Sequence, residues 1–230
     1  MKKIAILQPN YLPWKGVFDL INRVDTFVFF DDVQYTKKDW RNRNRVKTHA
    51  GLRWISVPVT NGSRDTLIKD VEIDGKANWA EKHWKTISLE YKAAPFFNEY
   101  ADFVREILCG QEWGNLCDLD IYATKKISDV LGIDVEWVRS SDLDLCGDKS
   151  GERVIKICNA LGCDSFINGP ASRQFMDDDL FRAAGIKLDY IEYNYEPYPQ
   201  LHGDFVHEVT VLDVLFNCGP ESASWIFHES

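Results

Sequence analysis

The sequence has no long hydrophobic run, no excess of basic residues and no cysteine pair at metal-binding spacing. No stretch of its 230 residues is apolar enough to span a bilayer, so we expect no membrane span. A net charge of −9 argues against binding to nucleic acid or to anionic membranes. The six cysteines include no CxxC pair and, with the histidines, match no structural zinc spacing. We therefore expect reduced thiols, no bound metal and a cytoplasmic location.

Familiar catalytic motifs are missing as well. The chain has neither GxSxG nor HExxH, which argues against a serine hydrolase and a zincin. Residues 147–151 (Gly-Asp-Lys-Ser-Gly) lack the spaced upstream glycine of a Walker A loop, so we do not expect a P-loop ATPase. A functional site must therefore be sought from the position of polar residues in the fold.

Two features of the composition point to a small-molecule site. Aromatic residues make up 13% of the chain, with eight tryptophans, which is more than a core usually needs and is typical of ligand sites. Residues 32–50 contain six basic and two acidic residues, so this segment carries +4 and the rest of the chain −13. A cationic segment in an acidic chain suits a phosphate or carboxylate group of a small ligand. The alternative is a solvated charged loop.

Strand and helix patterns alternate at both ends of the chain. The first thirty residues predict strand, short helix and strand, a βαβ unit with a parallel sheet. Residues 33–50 lack apolar periodicity, and further strands are predicted at 54–59, 68–73, 135–138, 165–168 and 188–193. Three helices are predicted at 79–92, 96–109 and 116–131. We predict one α/β domain over residues 1–230, a mostly parallel, Rossmann-like open sheet with a helical insertion at about 78–131.

Ligands of such sheets bind beyond the carboxyl ends of the strands, where this chain carries unusual polar residues. After the first strand, two prolines shape a loop whose predicted binding residues are Gln8, Asn10, Tyr11, Trp14 and Lys15. The alternative is a rigid turn with Trp14 in the core. After later strands we predict contributions from Lys149, Ser150, Asn168, Gly169 and Ser172, although Ser150 is equally suited to cap a helix.

The segment after the second strand is the richest in candidate residues. Asp31 and Asp32 follow that strand directly and are predicted to act as a general base or to ligate Mg²⁺. His83, on the first insertion helix, is a further candidate base, or else a satisfied or solvent-facing histidine. Guanidinium groups grip phosphate in two places, and the predicted binding residues here are Gln34, Lys37, Lys38, Trp40, Arg41, Asn42, Arg43 and Arg45.

Several motifs resemble the signature of the WbqC-like protein family. They are Ile-Leu-Gln-Pro-Asn-Tyr-Leu-Pro-Trp-Lys-Gly at 6–16, Phe-Phe-Asp-Asp-Val-Gln-Tyr at 29–35 and Asp-Trp-Arg-Asn-Arg-Asn-Arg at 39–45. Further matches run through Trp79, Lys82-His83, Tyr91, Lys149-Ser150, Asn168-Gly169 and residues 212–219, so the resemblance covers essentially the whole chain.

The resemblance implies a bacterial pathway of surface-polysaccharide biosynthesis, such as the O-antigen of lipopolysaccharide. It implies an acyl or aminoacyl transfer to the amino group of a nucleotide-linked amino sugar. We expect no tightly bound cofactor; the acyl donor is expected to be a thioester of coenzyme A or of an acyl or peptidyl carrier protein. Two alternatives stay open: a non-catalytic sugar-nucleotide binding or assembly protein, and a metal-dependent hydrolase that uses Asp31 and Asp32. The oligomeric state stays open too.

Overall fold

The computed structural model describes residues 1–60, 65–143, 145 and 150–227, the side chain of Ser150 excepted. The strands are β1 (Lys3–Leu7), β2 (Thr26–Phe29), β3 (Arg43–Thr48), β4 (Gly51–Ser56), β5 (Glu136–Arg139), β6 (Ser165–Asn168) and β7 (Lys187–Tyr190). The α-helices are α1 (Lys15–Asn22), α2 (Trp79–Tyr91), α3 (Phe97–Cys109), α4 (Leu116–Val130), α5 (Ser150–Ala160), α6 (Asp178–Ala183), α7 (Leu212–Cys218) and α8 (Ser222–Ile226).

Five of the strands form one open parallel sheet in the order β5-β2-β1-β6-β7. The chain builds outward from β1 to one edge through β2 and β5, then returns to the other side of β1 for β6 and β7. The direction of winding therefore reverses between β1 and β6, and this reversal is the topological switch point at which such sheets bind ligands. The predicted Rossmann-like open sheet is confirmed.

Alternating side chains of the central strands point into two hydrophobic clusters, one on each face of the sheet. Ala5, Phe27 and Phe29 pack with residues of α1 to α4 and α7. Ile4 and Val28 pack on the opposite face with residues of α5 and α6. Strands buried on both faces read as continuous apolar runs, which is why the sequence predicts them well.

The two-stranded hairpin of β3 and β4 corrects the sequence prediction. Its strands pair antiparallel, with Arg45 opposite Trp54, where the sequence predicts an irregular segment followed by a strand at 54–59. In β3 only Val46 is apolar on the buried face, so the alternation that marks a strand is carried by Asn44 and Thr48 and is easily missed. The strand predicted at 68–73 is wrong too, since residues 68–70 form a 3₁₀ turn.

The predicted helices at 79–92, 96–109 and 116–131 are confirmed as α2, α3 and α4, which lie between β4 and β5 in the chain. In the described part of the chain, no helix combines the length and the apolar character needed to cross a membrane. Five cysteines fall within the described residues and carry free thiols: Cys109, Cys117, Cys158, Cys163 and Cys218.

Candidate functional site

A cavity of about 590 Å³ opens beyond the carboxyl ends of β1 and β6, at the switch point of the sheet. It is lined by the loop after β1, by the segment that leads into and begins β3, by the turn after β6, and by Tyr193 and Glu208 further along the chain. Its polar and aromatic lining residues are Asn10, Trp14, Trp40, Arg41, Asn44, Arg45, Asn168, Ser172, Tyr193 and Glu208. This size and this mixed lining are typical of small-molecule sites.

The hairpin holds the loop after β1 in place. The Asn44 side chain donates hydrogen bonds to the carbonyl oxygens of Tyr11 (3.1 Å) and Leu12 (2.7 Å). The Tyr11 N–H donates to the Trp40 carbonyl at 2.9 Å. Leu12 has a backbone φ of 42°, a left-handed conformation that an L-residue keeps only when its surroundings hold it. The hydrogen bonds of the hairpin therefore hold the backbone of this part of the cavity wall in a fixed conformation.

Two arginines bring positive charge to this wall. The Arg41 side chain is only 12% exposed, and one of its terminal nitrogens lies 3.4 Å from the Asp39 carboxylate. Arg45 donates to the Glu208 carboxylate at 3.0 Å. Among the described residues, the Nε atoms of both arginines and the side-chain amide oxygen Oδ1 of Asn10 are buried without a hydrogen-bond partner. Burial lowers the pKa of Arg41, an effect that the neighbouring carboxyl groups oppose.

Aromatic rings frame the cavity on two sides. Trp14 meets Tyr193 edge to face with ring centroids 4.9 Å apart. At the mouth, Trp40 lies 5.2 Å from Trp54, and both rings are exposed. The guanidinium of Arg43 sits 4.1 Å above the Trp54 ring, a cation–π contact. We call Trp40, Trp54, Arg43 and Arg45 the aromatic rim; it offers flat surfaces for a base or a sugar.

Asp31 and Asp32 lie elsewhere, beyond the carboxyl ends of β2 and β5. Asp31 is fully buried and accepts hydrogen bonds from Arg139 Nε (2.7 Å) and from Ser141 Oγ (2.8 Å) and N–H (3.0 Å). Burial would raise the pKa of Asp31, but these donors outweigh it and hold the pKa below its ordinary value. Asp32 forms an ion pair with Arg153. Neither carboxylate lines the cavity.

His83 is buried beneath the loop after β1. Its Nδ1 atom lies 2.9 Å from the Tyr11 hydroxyl. Burial lowers the pKa of His83 to about 4, and a hydrogen bond to the Ser56 backbone offsets only part of this effect. His83 is therefore neutral at pH 7 and lies outside the cavity lining.

Lys15 also turns away from the cavity. Its ammonium group lies 4.3 Å from the ring centroid of Tyr195 and 4.9 Å from that of Tyr198. Burial lowers the pKa of Lys15 to about 8. The lysine and the aromatic rings together fasten the start of α1 to the C-terminal part of the chain.

The predicted binding residues divide into three groups by their position relative to the cavity. Those that the structure brings to the cavity are Asn10, Trp14, Trp40, Arg41, Arg45, Asn168, Gly169 and Ser172. Those outside its lining are Gln8, Tyr11, Lys15, Gln34, Lys37, Lys38, Asn42 and Arg43. Lys149 and the side chain of Ser150 fall outside the described residues.

Sequence reasoning missed three of the polar and aromatic lining residues. Asn44 belongs to the alternating Arg-Asn run, so the run itself could have identified it. Tyr193 and Glu208 come from the irregular segment after β7, where no motif marks them; only the fold shows that they reach the cavity.

These features define an α/β protein with a candidate ligand cavity at the switch point of a Rossmann-like sheet. The chain belongs to the WbqC-like protein family, whose model matches residues 8–225. An uncharacterized protein of Mycobacterium tuberculosis, Rv1507c, is 40% identical over 228 residues, which is 98% of each chain. No solved structure matches the chain significantly.

Proposed function

We propose that the chain binds a nucleotide-linked amino sugar in the switch-point cavity and transfers an acyl or aminoacyl group to the sugar's amino nitrogen. The step would belong to bacterial surface-polysaccharide biosynthesis, such as O-antigen assembly. The observation that carries the proposal is the pair Arg41 and Arg45 on the wall of a crevice that is otherwise largely apolar and aromatic.

Each part of such a substrate has a matching surface. The guanidinium groups of Arg41 and Arg45 suit the diphosphate, because guanidinium binds phosphate oxygens through two parallel N–H groups. The aromatic rim suits the base, and Trp14 suits an apolar face of the sugar. The amide groups of Asn10 and Asn168 and the hydroxyl of Ser172 suit sugar hydroxyls.

The reaction needs a base and an oriented thioester. The amine nitrogen attacks the thioester carbonyl carbon, a C–N bond forms, the C–S bond breaks, and the amine proton passes to the leaving thiolate. Glu208 supplies a carboxylate to the described cavity lining, which supports the proposal that it carries that proton. The base roles predicted for Asp31, Asp32 and His83 stay predictions, and the hydrogen bonds at these residues do not favour them.

One observation favours the non-catalytic alternative: Glu208 already forms an ion pair with Arg45. A pure binding protein needs the phosphate grip and the aromatic rim but no base. The hydrolase alternative gains no support, because the described residues hold no group of three His, Cys, Asp or Glu side chains suited to a metal ion.

Binding is tested first, by thermal shift with a panel of nucleotide-linked amino sugars and coenzyme A thioesters. A ligand at a hundredfold excess over its Kd stabilises the folded chain by roughly 2.7 kcal/mol. We expect a shift with a sugar nucleotide that Arg41→Ala abolishes. Lys37→Ala is the matched control, since Lys37 is an exposed, positively charged residue of the same segment that does not line the cavity. No shift with any sugar nucleotide would refute the proposal.

Turnover is tested with Glu208→Gln, which keeps the shape of the side chain and removes its basicity. Losing a general base lowers kcat by roughly 10²- to 10⁴-fold. We expect that loss with little change in substrate affinity, measured by mass spectrometry of the acylated sugar nucleotide. Substrate binding without turnover in the unaltered chain would favour the non-catalytic alternative. Turnover that survives Glu208→Gln but not Asp32→Asn would return the base role to the aspartate pair.

A further inference from the structure

A glycine lies near the start of a helix that lines the cavity. Gly16 is the second residue of α1 and is buried. Its backbone φ lies outside the left-handed region, so the backbone itself does not require glycine. Within a helix glycine is less favourable than alanine, because it loses more conformational freedom on folding. The presence of glycine at this position therefore calls for a reason in its surroundings.

That reason is the indole ring of Trp14, which lies directly on the Cα atom of Gly16. A Cβ atom on residue 16 would lie 2.6 Å from Cη2 and 2.7 Å from Cε2 of Trp14. Carbon atoms in contact lie about 3.5–4.0 Å apart, so the indole would have to move by about 1 Å. The observed position of the indole and a side chain on residue 16 therefore exclude each other.

The backbone of Trp14 is held in place by the rest of the fold. Trp14 forms an antiparallel bridge with Thr210. The Pro13 carbonyl accepts a hydrogen bond from the Val211 N–H at 2.8 Å, and the Trp14 carbonyl accepts one from the Val17 N–H at 3.1 Å. Because these contacts fix the main chain, any displacement of the indole must come from rotation of the side chain.

The indole lies on the face of α1 that lines the cavity. Gly16 and Leu20 are one turn apart on the same face of the helix, and Val17 lies beside them. Both Val17 and Leu20 line the cavity, as Trp14 does. The ring of Tyr193, with its centroid 4.9 Å from that of the indole, limits movement on another side. A side chain on residue 16 would therefore push the indole away from α1 and into the cavity.

We propose that Gly16 is a positioning residue for Trp14 and so determines which ligands fit. Because residue 16 has no side chain, the indole lies back on α1 and leaves room for an apolar face of the ligand against Val17 and Leu20. Under the proposed function this is a face of the sugar. The inference rests on the proposed function only in taking the switch-point cavity as the ligand site, and it does not depend on whether a reaction takes place.

Gly16→Ala tests the role, and Gly151→Ala is its matched control. Gly151 is likewise the second residue of its helix, α5, but a Cβ atom there would meet no atom of the described residues within 4 Å. Since alanine restricts the unfolded chain, we expect Gly151→Ala to raise the Tm by about 2 °C without other effects. An effect common to any alanine in the first turn of a helix would appear in both variants.

The first measurement needs no ligand. The indole N–H signal of Trp14 in nitrogen-15 NMR spectra is assigned by its loss in Trp14→Phe. In Gly16→Ala we expect this signal to shift and the nuclear Overhauser effects between the indole and the Tyr193 ring to weaken. In Gly151→Ala both should stay as in the unaltered chain.

The second measurement is a fluorescence titration with 8-anilinonaphthalene-1-sulfonate, whose apolar rings and sulfonate match the apolar and basic residues of the lining. We expect Gly16→Ala to weaken dye binding about tenfold, because the displaced indole takes up part of the space. A double-mutant cycle with Trp14→Phe is decisive, since the phenyl ring lacks the second ring to which the clashing atoms belong. In the Trp14→Phe background, Gly16→Ala should have little further effect.

The outcomes separate this inference from the proposed function. Dye binding that depends on Gly16 through Trp14, without binding of any sugar nucleotide, would refute the proposed function and support the positioning role. An unchanged Trp14 signal in Gly16→Ala, equal dye affinity in Gly16→Ala and the unaltered chain, an equal loss in the Trp14→Phe background, or no dye binding at all would overturn it. Should Gly16→Ala not fold, the double variant with Trp14→Phe decides: its folding would support the clash with the indole, and its failure to fold would overturn the role.

Discussion

Two polar clusters lie beyond the carboxyl ends of the same parallel sheet, and they differ in how fully their polar side chains are paired, although Arg153 Nε in the first also lacks a partner among the described residues. At the ends of β2 and β5, donors from Arg139 and Ser141 occupy both oxygens of Asp31. At the switch point, buried atoms of Asn10 and Arg41 have no partner among the described residues. Native proteins pair nearly all of their buried polar groups, so the hydrogen bonds of Asp31 mark a structural role, and the unpaired atoms at the switch point are candidates for contact with a ligand.

The comparison also shows why a carboxylate pair at a strand end is an ambiguous signal. Asp31 and Asp32 occupy a position where catalytic residues are common, yet their hydrogen bonds are already complete. The donors around Asp31 hold its pKa below the ordinary value, which makes this carboxylate a poor proton acceptor. Position in the fold therefore needs to be read together with hydrogen bonding.

The largest expected effect comes from removing Asp31 from the hydrogen-bonded cluster at the ends of β2 and β5. Asp31→Ala leaves the donors of Arg139 and Ser141 without their acceptor, and removing one partner of a buried ion pair costs about 3–5 kcal/mol of unfolding free energy. Urea unfolding followed by circular dichroism measures this loss. Arg41→Ala should show the reverse pattern, with a small change in stability and a large loss of ligand binding.

The contrast between the two variants is the point of that experiment. If Asp31→Ala remains as stable as the unaltered chain but loses ligand binding, the cluster at the ends of β2 and β5 is functional rather than structural. Ligand affinity of Asp31→Ala is therefore measured at a temperature well below its own melting point.

A smaller effect, of about 2 kcal/mol at pH 5, is expected from His83, which lies under the loop that lines the cavity. The pKa of His83 is about 4 in the folded chain, against 6.5 for an exposed histidine. The unfolded chain therefore takes up this proton first, and stability falls as the pH drops from about 6.5 towards 4. Urea unfolding at pH 7 and pH 5 should show a smaller difference in His83→Gln than in the unaltered chain. Equal differences would mean that His83 titrates normally and is open to solvent, which would favour its predicted role as a base.

Much of the fold could be predicted from the sequence because the sheet strands are buried on both faces. Continuous apolar runs such as Ile4–Leu7 and the apolar spacing of α2 to α4 are strong local signals. The order of the strands is not local: nothing in residues 165–168 says that they pair with β1 on the side away from β2. The switch point, and with it the position of the cavity, follows from this order.

The candidate site could be predicted only where its residues carry a local signal in the sequence. Arg41 and Arg45 are recognisable because they belong to a dense run of polar residues after a strand. Glu208 carries no such mark, since it reaches Arg45 only through tertiary structure.

The smallest expected effect concerns the aromatic rim, and it tests how far the switch-point site extends beyond the cavity. Trp54 is 42% exposed, and so is Leu52, which lies two residues earlier on the same face of β4. Replacing either by alanine should leave stability nearly unchanged. Trp54→Ala removes a flat surface on which the base would stack, so nucleotide affinity should fall at least a few-fold, whereas the lost cation–π contact with Arg43 lowers stability by only about 0.5–1 kcal/mol. Leu52→Ala should bind as the unaltered chain does. If the two variants bind equally well, Trp54 takes no part in recognition, and the site ends at the residues that line the cavity.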